Sequence, residues 1–244
     1  MRRVYAIAAA VVMDSVRRKI VWVVVLFGSV MAVAIPSLPS YSLGIVQAVF
    51  REVALALSYA AALVVALTLA ANRIPGEIER RTVYNVLSKR VARSEYVLGT
   101  WLGIVGVLGA CIAAFTVVNQ VIGQITYGDA MWRLWEGALG VWLETSVVAA
   151  FAVAVSTLVG PIVVVVASIA FVFVAHSRAA LLGSAAPRIA WALFPSLDPL
   201  DVINPVAHGN GISAAYAGYM ILVAIGYAAM FVLLGSVAFR RRDL

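Results

Sequence analysis

Long apolar runs, separated by short charged or polar stretches, follow one another along the whole chain. Val, Ala, Leu and Ile dominate these runs, and about 20 such residues are enough for a helix to cross a bilayer. Because hydrocarbon offers no partner for backbone N–H and C=O groups, the runs must be helical. The pattern predicts six transmembrane helices, at about residues 20–38, 55–71, 96–118, 138–158, 161–175 and 214–239.

The composition agrees with this pattern. Hydrophobic residues make up 64% of the chain and charged residues 12%, whereas soluble domains contain roughly 45–50% and 25%. A soluble domain of 244 residues has too little interior to bury so much apolar surface. The predicted fold class is therefore an all-α integral membrane protein that forms one transmembrane domain over residues 1–244.

The distribution of positive charge predicts the orientation. A net charge of +7 is compatible with nucleic-acid binding, but the cations lie in clusters between apolar runs, so no nucleic acid is expected as a partner. With a cytoplasmic N-terminus, 14 of the 18 Lys and Arg residues fall on the cytoplasmic side and 4 on the outer side. Cytoplasmic loops carry such an excess. Both termini are therefore predicted to be cytoplasmic.

The N-terminal stretch, residues 1–19, precedes the first predicted span. Two arginines ahead of a short apolar run are typical of a signal peptide. However, cleavage there would leave Arg17, Arg18 and Lys19 on the outer side, against the positive-inside bias. We therefore predict an amphipathic helix that lies in the membrane interface.

A charged hairpin, residues 72–95, connects the second and third predicted spans on the cytoplasmic side. Pro75 and Gly76 are predicted to end the preceding span, and glutamates at the start of the hairpin suit the positive end of a helix dipole. Apolar residues recur in it at helical spacing. The hairpin is thus predicted to hold a short amphipathic helix tied to two spans. A helix that only rests on anionic headgroups is the alternative.

Three stretches resemble the ABC-2-type permeases, the transmembrane subunits of bacterial ATP-binding-cassette exporters. The stretches are the charged end of the N-terminal helix at residues 14–19, the hairpin EIERRTVYNVLSK at 77–89, and the tail FRRRDL at 239–244. The outer loop at 193–201 is also similar to one found in a subgroup of these permeases. Two positions depart from the family pattern. Arg90 stands where proline is frequent, and Thr100, which follows Gly99, stands where a lysine is common.

The resemblance implies that the hairpin is a coupling helix that docks on a separate nucleotide-binding subunit. The implied contact residues are Glu77, Glu79, Arg80, Arg81, Thr82, Tyr84 and Leu87, with Arg17, Arg18 and Lys19 as a secondary contact. It further implies two permeases, identical or related, and two ATPase copies, in the bacterial cytoplasmic membrane. ATP and Mg²⁺ would bind the partner ATPase, and no cofactor is expected on this chain.

Motifs for chemistry on this chain are absent from its sequence. It contains no GxxxxGK[ST] phosphate loop, no HExxH, no CxxC pair and no nucleophile elbow. No catalytic residue is therefore predicted, and hydrolysis would come from the partner. His176, His208, Asp198 and Asp201 lack the spacing of metal ligands, so no metal site is predicted.

Polar residues within or beside the spans are candidates for a translocation pathway. Glu144 lies several residues inside the fourth predicted span, where an ionisable group is costly and usually faces a cavity or a partner. The alternative for Glu144 is a side chain that reaches the outer interface. Asn119 and Gln124 lie at the outer end of the third span, where they could line an exit.

Two further interpretations remain open from the sequence. Residues 177–213, on the outer side, either form short helices that re-enter the membrane and close the exit or form a folded external loop. The chain as a whole could also be a secondary transporter, a class that shows repeats and ionisable residues in mid-membrane. A membrane scaffold that recruits a cytosolic partner is another alternative to the permease.

Overall fold

The computed structural model describes residues 2–17, 26–28, 30, 43–79, 92–177 and 195–241. Within these ranges the chain is helical and contains no β-strand, which confirms the all-α prediction for the described residues. The principal helices are α1 (Arg2–Arg17), α2 (Leu43–Glu79), α3 (Arg93–Tyr127), α4 (Leu134–Ser156), α5 (Pro161–His176), α6 (Ile203–Ala207) and α7 (Ala214–Arg240).

Four of these helices are long and apolar enough to cross a membrane. They are the Val46–Glu77 part of α2 together with α3, α4 and α7. Helix α5 is apolar but has 16 residues, or about 24 Å, which is shorter than a hydrocarbon core of roughly 30 Å. The first predicted span falls almost entirely outside the described residues. The described part of the chain therefore supports four of the six predicted spans.

Contacts between side chains give the relative directions of the long helices. Trp101 Nε1 donates to the Ser146 carbonyl at 3.0 Å, and Trp142 Nε1 donates to the Val105 carbonyl at 3.1 Å. Residue numbers rise along α3, from 101 to 105, while the residues they contact on α4 fall from 146 to 142, so α3 and α4 are antiparallel. Two contacts per pair give the other directions: Ser58–Asn119 with Glu77–Tyr96 for α2 and α3, Gly140–Met220 with Ala154–Gly235 for α4 and α7, and Glu144–His176 with Phe151–Phe171 for α4 and α5. Helices α2, α4 and α7 run one way, and α3 and α5 run the other way.

Helix α4 lies at the centre of the bundle and contacts α2, α3, α5 and α7. Two glycines near its start allow this close packing. A Cβ atom at Gly137 would overlap the Leu55 side chain of α2, and one at Gly140 would overlap Val202 and the Leu200 carbonyl. Small residues of this kind let helices approach closely, which matters in lipid because the hydrophobic effect does not drive helices together there.

The end of α2 differs from the prediction. Pro75 and Gly76 were expected to terminate the second span, but α2 continues through Pro75 to Glu79. A proline inside a helix removes one hydrogen bond and crowds the carbonyl four residues earlier. Here Ile74 and Pro75 are both buried against neighbouring helices, so tertiary packing holds the segment helical. The span and the start of the hairpin therefore form one continuous rod of 37 residues.

Helix α1 packs lengthwise against the first half of α3. A Cβ atom at Gly99 would lie 2.8 Å from Ile7 Cβ, and one at Gly103 would lie 2.6 Å from Val11 Cβ. Steps of four residues on α1 therefore match steps of four on α3, which makes the two helices nearly parallel. The close approach permitted by two glycines explains this packing. The position of α1 in the membrane interface stays a prediction.

The packing of α1 on α3 predicts the effect of a single added methyl group. Gly103→Ala should destabilise the protein by about 1–3 kcal/mol, because the new Cβ overlaps Val11 and the Ala8 carbonyl. Gly226→Ala on α7 is the matched control, since nothing lies within 4 Å of a Cβ there. The control should be neutral or stabilising by up to about 1 kcal/mol. Equal unfolding temperatures of the two variants in detergent would contradict this packing.

Candidate functional site

A polar network joins three helices at the end of the bundle where α2 ends and α3 begins. Arg73 of α2 lies at its centre: Nη1 is 2.7 Å from Asp14 Oδ2 of α1, and Nε is 2.7 Å from Glu77 Oε1 one turn further along α2. Tyr96 of α3 donates its hydroxyl proton to Glu77 Oε2 at 2.6 Å. We call Asp14, Arg73, Glu77 and Tyr96, with Arg93 and Phe239 described next, the basic-end network.

Helix α7 joins the same network through its last turn. Arg93 Nη1 donates to the Phe239 carbonyl at 2.7 Å and to the Arg240 carbonyl at 3.2 Å. The last carbonyls of a helix have no partner within it, so a guanidinium satisfies them and complements the negative end of the dipole. The Phe239 ring also stacks on Tyr96, with ring centroids 6.0 Å apart. Four helices, α1, α2, α3 and α7, are thereby connected at one end.

The charges of the network are partly withdrawn from solvent. The side chains of Arg73 and Glu77 are 16% and 19% exposed. Charge-assisted hydrogen bonds are stronger where water screens them less. Removing one partner would leave an uncompensated charge in a half-buried site, which is costly. The network should therefore behave as a rigid joint.

The joint surrounds both attachment points of residues 80–91. Helix α2 enters this segment at Glu79, and α3 leaves it at Arg93, where Glu95 Oε2 accepts a hydrogen bond from the Ala92 N–H at 3.0 Å. This contact supports the first turn of α3, as in a capping box. Any movement of residues 80–91 would therefore reach α2 and α3 together.

The predicted coupling residues fall partly within the described ranges. Glu77 is directed towards Arg73 and Tyr96, so it braces α2 against α3 and is not available as an open docking contact. The Glu79 backbone ends α2, and the Arg17 backbone ends α1. The predicted contacts that lie outside the described residues are Arg80, Arg81, Thr82, Tyr84, Leu87, Arg18 and Lys19.

Arg73 and Tyr96 hold the network together, although neither is among the predicted site residues; Tyr96 belongs only to the stretch after the hairpin that resembles the permeases. The one local signal is the spacing of Arg73 and Glu77, four residues apart on a helix, which favours an ion pair. The contacts with Asp14 and Tyr96 bridge distant parts of the chain. Sequence spacing carries no information about such contacts.

A second polar cluster lies inside the bundle, at one turn of α2. Asn119 of α3 donates to Ser58 Oγ at 3.4 Å, and both side chains are buried. The adjacent Tyr59 hydroxyl is buried beside the Glu144 carboxylate of α4, without a direct hydrogen bond to it. Two of the three predicted pathway residues therefore meet the same turn of α2. The third, Gln124, is exposed on the surface of α3.

Glu144 faces the interior of the bundle. Its side chain is 2% exposed, and Oε1 lies 3.2 Å from His176 Nε2 at the end of α5. This position favours the interior interpretation over a side chain that reaches the outer interface. Intramembrane ionisable residues commonly face a bundle interior and pair with one another.

The other residues considered for metal binding have ordinary turn contacts. Asp198 accepts a hydrogen bond from Ser196 Oγ at 2.8 Å, and Asp201 accepts one from the Ile203 N–H at 3.2 Å. Within the part of the chain that the structure describes, no group of three His, Cys, Asp or Glu side chains is placed to hold a metal ion.

The described part of residues 177–213 is folded against the helices. Leu197 and Leu200 are fully buried, and the five-residue helix α6 contacts α2 and α4. The Tyr216 hydroxyl donates to the Pro199 carbonyl at 3.0 Å. Residues 178–194 lie outside the described ranges, so the choice between a re-entrant segment and an external loop stays a prediction.

Comparison with known sequences identifies the family. The chain belongs to the family described as protein of unknown function (DUF2705), whose profile matches residues 7–244. No curated protein matches the chain. The matched region contains both polar clusters, but the family description assigns them no activity.

The hydrogen bond between Tyr96 and Glu77 predicts a stability difference between two tyrosine variants. Tyr96→Phe should lower the free energy of unfolding by about 1.5–3 kcal/mol, because the bond is made to a charged, half-buried carboxylate. Tyr5→Phe removes the same hydroxyl from a side chain that is 77% exposed, and should change stability by less than about 0.5 kcal/mol. Thermal unfolding in detergent measures both, and a Tyr96→Phe effect as small as the control would exclude the joint.

Proposed function

We propose that this chain, from a family without an assigned activity, is the membrane subunit of an ABC-2-type transporter, most simply an exporter. Its ATPase would be a separate chain, present in two copies, that binds ATP and Mg²⁺. Two permease chains, identical or related, would form the pathway in a bacterial cytoplasmic membrane. The proposal includes six spans with both termini in the cytoplasm, as the 14-to-4 distribution of cations favours.

The observation that carries the proposal is the basic-end network at the attachment points of residues 80–91. A coupling element has to transmit displacement without absorbing it, so its supports must be stiff. Glu77 joins α2 to Tyr96 of α3 at 2.6 Å, and Arg73 and Arg93 extend the connection to α1 and α7. A push on residues 80–91 would therefore move four helices as one unit.

The continuity of α2 adds to this argument. A helix of 37 residues is about 55 Å long, which exceeds a hydrocarbon core of roughly 30 Å. The helix can therefore extend from the membrane into the cytoplasm without a break at Pro75. Rigid helices with two discrete arrangements are what energetic coupling over long distances requires.

The buried polar cluster supplies candidate pathway residues in this proposal. Asn119 and Glu144 approach α2 from two sides at Ser58 and Tyr59. Helix α2 carries both this turn and Glu77, about five helical turns apart. Movement of its cytoplasmic end would therefore reach the polar cluster directly.

A secondary transporter is the alternative that one specific observation favours. Glu144 and His176 form an ionisable pair inside the bundle, and ion-driven transporters use such residues in mid-membrane. That class needs no ATPase partner. Association with an ATPase therefore separates the two proposals, whereas a scaffold would bind its partner without any transport.

Co-purification with a candidate ABC-type ATPase, chosen among neighbouring reading frames by its phosphate loop, tests the proposal. The wild-type chain should retain the ATPase in detergent. Arg80→Glu combined with Leu87→Asp should abolish the complex, because one charge is reversed and one apolar contact is replaced by a carboxylate at the docking helix. Arg241→Glu reverses one charge at an exposed residue of the same end, and this control should leave the complex intact.

Two outcomes would overturn the proposal in different ways. A double variant that still binds the ATPase would exclude residues 80–91 as the docking site. A wild-type chain that binds no ATPase, while the protein is folded and monodisperse, would favour the ion-driven alternative.

A further inference from the structure

His176, the last residue of α5, makes one contact with each of its ring nitrogens. Nδ1 lies 3.0 Å from the Val172 carbonyl oxygen, one turn earlier in the same helix. Nε2 lies 3.2 Å from Glu144 Oε1 of α4. The Nε2 distance is that of an ion pair and not of a hydrogen bond, because Glu144 Oε1 has no hydrogen-bond partner among the described residues. The burial of Glu144 beside this ring determines whether the pair needs a further proton.

A carbonyl oxygen can only accept a hydrogen bond, so the Nδ1 contact requires the proton to be on Nδ1. In a neutral imidazole, Nε2 then carries a lone pair. Beside a neutral ring, an ionised Glu144 would be a buried carboxylate without a counter-charge at 3.2 Å, which is a costly conflict. The opposite tautomer leaves this charge unbalanced and also places a lone pair of Nδ1 against the Val172 carbonyl.

One additional proton removes the conflict in either of two ways. The ring can be an imidazolium that balances the Glu144 carboxylate, or Glu144 can be a neutral carboxylic acid beside a neutral ring. Both forms contain one proton more than a neutral histidine with an ionised glutamate. Which of the two atoms carries the proton does not alter this count.

The surroundings allow the proton to be held and exchanged. Glu144 from α4 is 2% exposed, whereas the His176 side chain is 32% exposed and so accessible to protons from solution. The Tyr59 hydroxyl of α2 is buried near Glu144 without a hydrogen bond to it, and the Tyr59 ring packs edge-on against the His176 ring, with centroids 6.5 Å apart. Asp201, in the turn before α6, adds a second negative charge. Nearby negative charge favours the protonated pair.

We propose that Glu144 and His176 form one proton-binding site that fastens the end of α5 to α4 when occupied and releases it when empty. The ligand is a proton, and Tyr59 positions the ring. The site does not depend on the transport proposal, because it follows from the geometry of three side chains.

Release would be confined to the last part of α5. Phe171 stacks on Phe151 of α4 with centroids 4.3 Å apart, and both rings pack edge-on against Phe231 of α7. These aromatic contacts do not involve a proton, so they hold the middle of α5 in either state. Loss of the proton would therefore free the final turn that begins near Val172 and leads into residues 178–194.

Stability as a function of pH tests the site. The folded pair holds one proton more than an unfolded chain above about pH 6.5, where an unperturbed histidine is neutral and a glutamate is ionised. Stability must therefore fall as pH rises, by up to tenfold in the unfolding equilibrium per pH unit, until the folded pair loses its proton. For a chain of this size, a tenfold change corresponds to about 3–5 °C of unfolding temperature per pH unit.

Glu144→Gln should abolish that slope and still preserve the contact. The amide of Gln donates a hydrogen bond to the Nε2 lone pair of a neutral His176, so no additional proton is needed. His208→Gln is the matched control, because His208 Nδ1 makes the same contact with the Asn204 carbonyl at 3.0 Å and no ion pair is seen for it among the described residues. The control should retain the wild-type slope. Equal slopes in wild type and Glu144→Gln would overturn the proposal.

Nitrogen NMR gives a second test that needs no change at the site. The chain has 2 histidines, so ¹⁵N-histidine-labelled His208→Gln protein reports His176 alone. We expect Nδ1 to be protonated throughout, with an Nε2 signal that changes once as pH rises. An Nε2-protonated neutral ring, or an Nε2 signal that matches free histidine at every pH, would exclude the site even if Glu144→Gln fails to fold.

Discussion

Hydrocarbon offers no hydrogen-bond partner, and this constraint governs the rest of the structure. Every long apolar segment in the described ranges is helical, because a helix pairs its backbone groups internally. Four hydroxyls inside the bundle meet the same requirement by donating to the carbonyl four residues earlier, at 2.6–2.7 Å: those of Ser58, Thr145, Ser146 and Ser236. Polar side chains are thereby tolerated within apolar helices, although the buried hydroxyls of Thr100 and Ser168 have no partner among the described residues.

The two clusters solve the same electrostatic problem in different ways. In the basic-end network each charged group has several partners: Arg73 contacts two carboxylates, and Glu77 contacts Arg73 and Tyr96. Loss of one contact there leaves the others in place. The interior pair is single, since Glu144 relies on His176, and that contact requires a proton. The first arrangement is suited to a permanent joint and the second to a contact that opens and closes.

Helix boundaries illustrate where local rules and tertiary packing disagree. Pro75 and Gly76 are strong local signals for a helix end, but buried contacts at Ile74 and the ion pairs of Arg73 outweigh them. The position of α1 has a similar explanation. Amphipathicity predicts that a helix has an apolar face but does not determine what covers it, and Gly99 and Gly103 offer a closer surface than lipid does.

The sequence by itself determined that the chain is helical and suited to a membrane, because hydropathy and run length depend on single segments and not on their neighbours. It also located Glu144, Asn119 and Glu77 as unusual residues. Only the tertiary structure decided their partners: His176 for Glu144, Ser58 for Asn119, and Tyr96 with Arg73 for Glu77. Apart from the i, i+4 pair of Arg73 and Glu77, these contacts join residues on different helices. Their distances depend on how the helices pack against one another. Spacing along the chain carries no information about that packing.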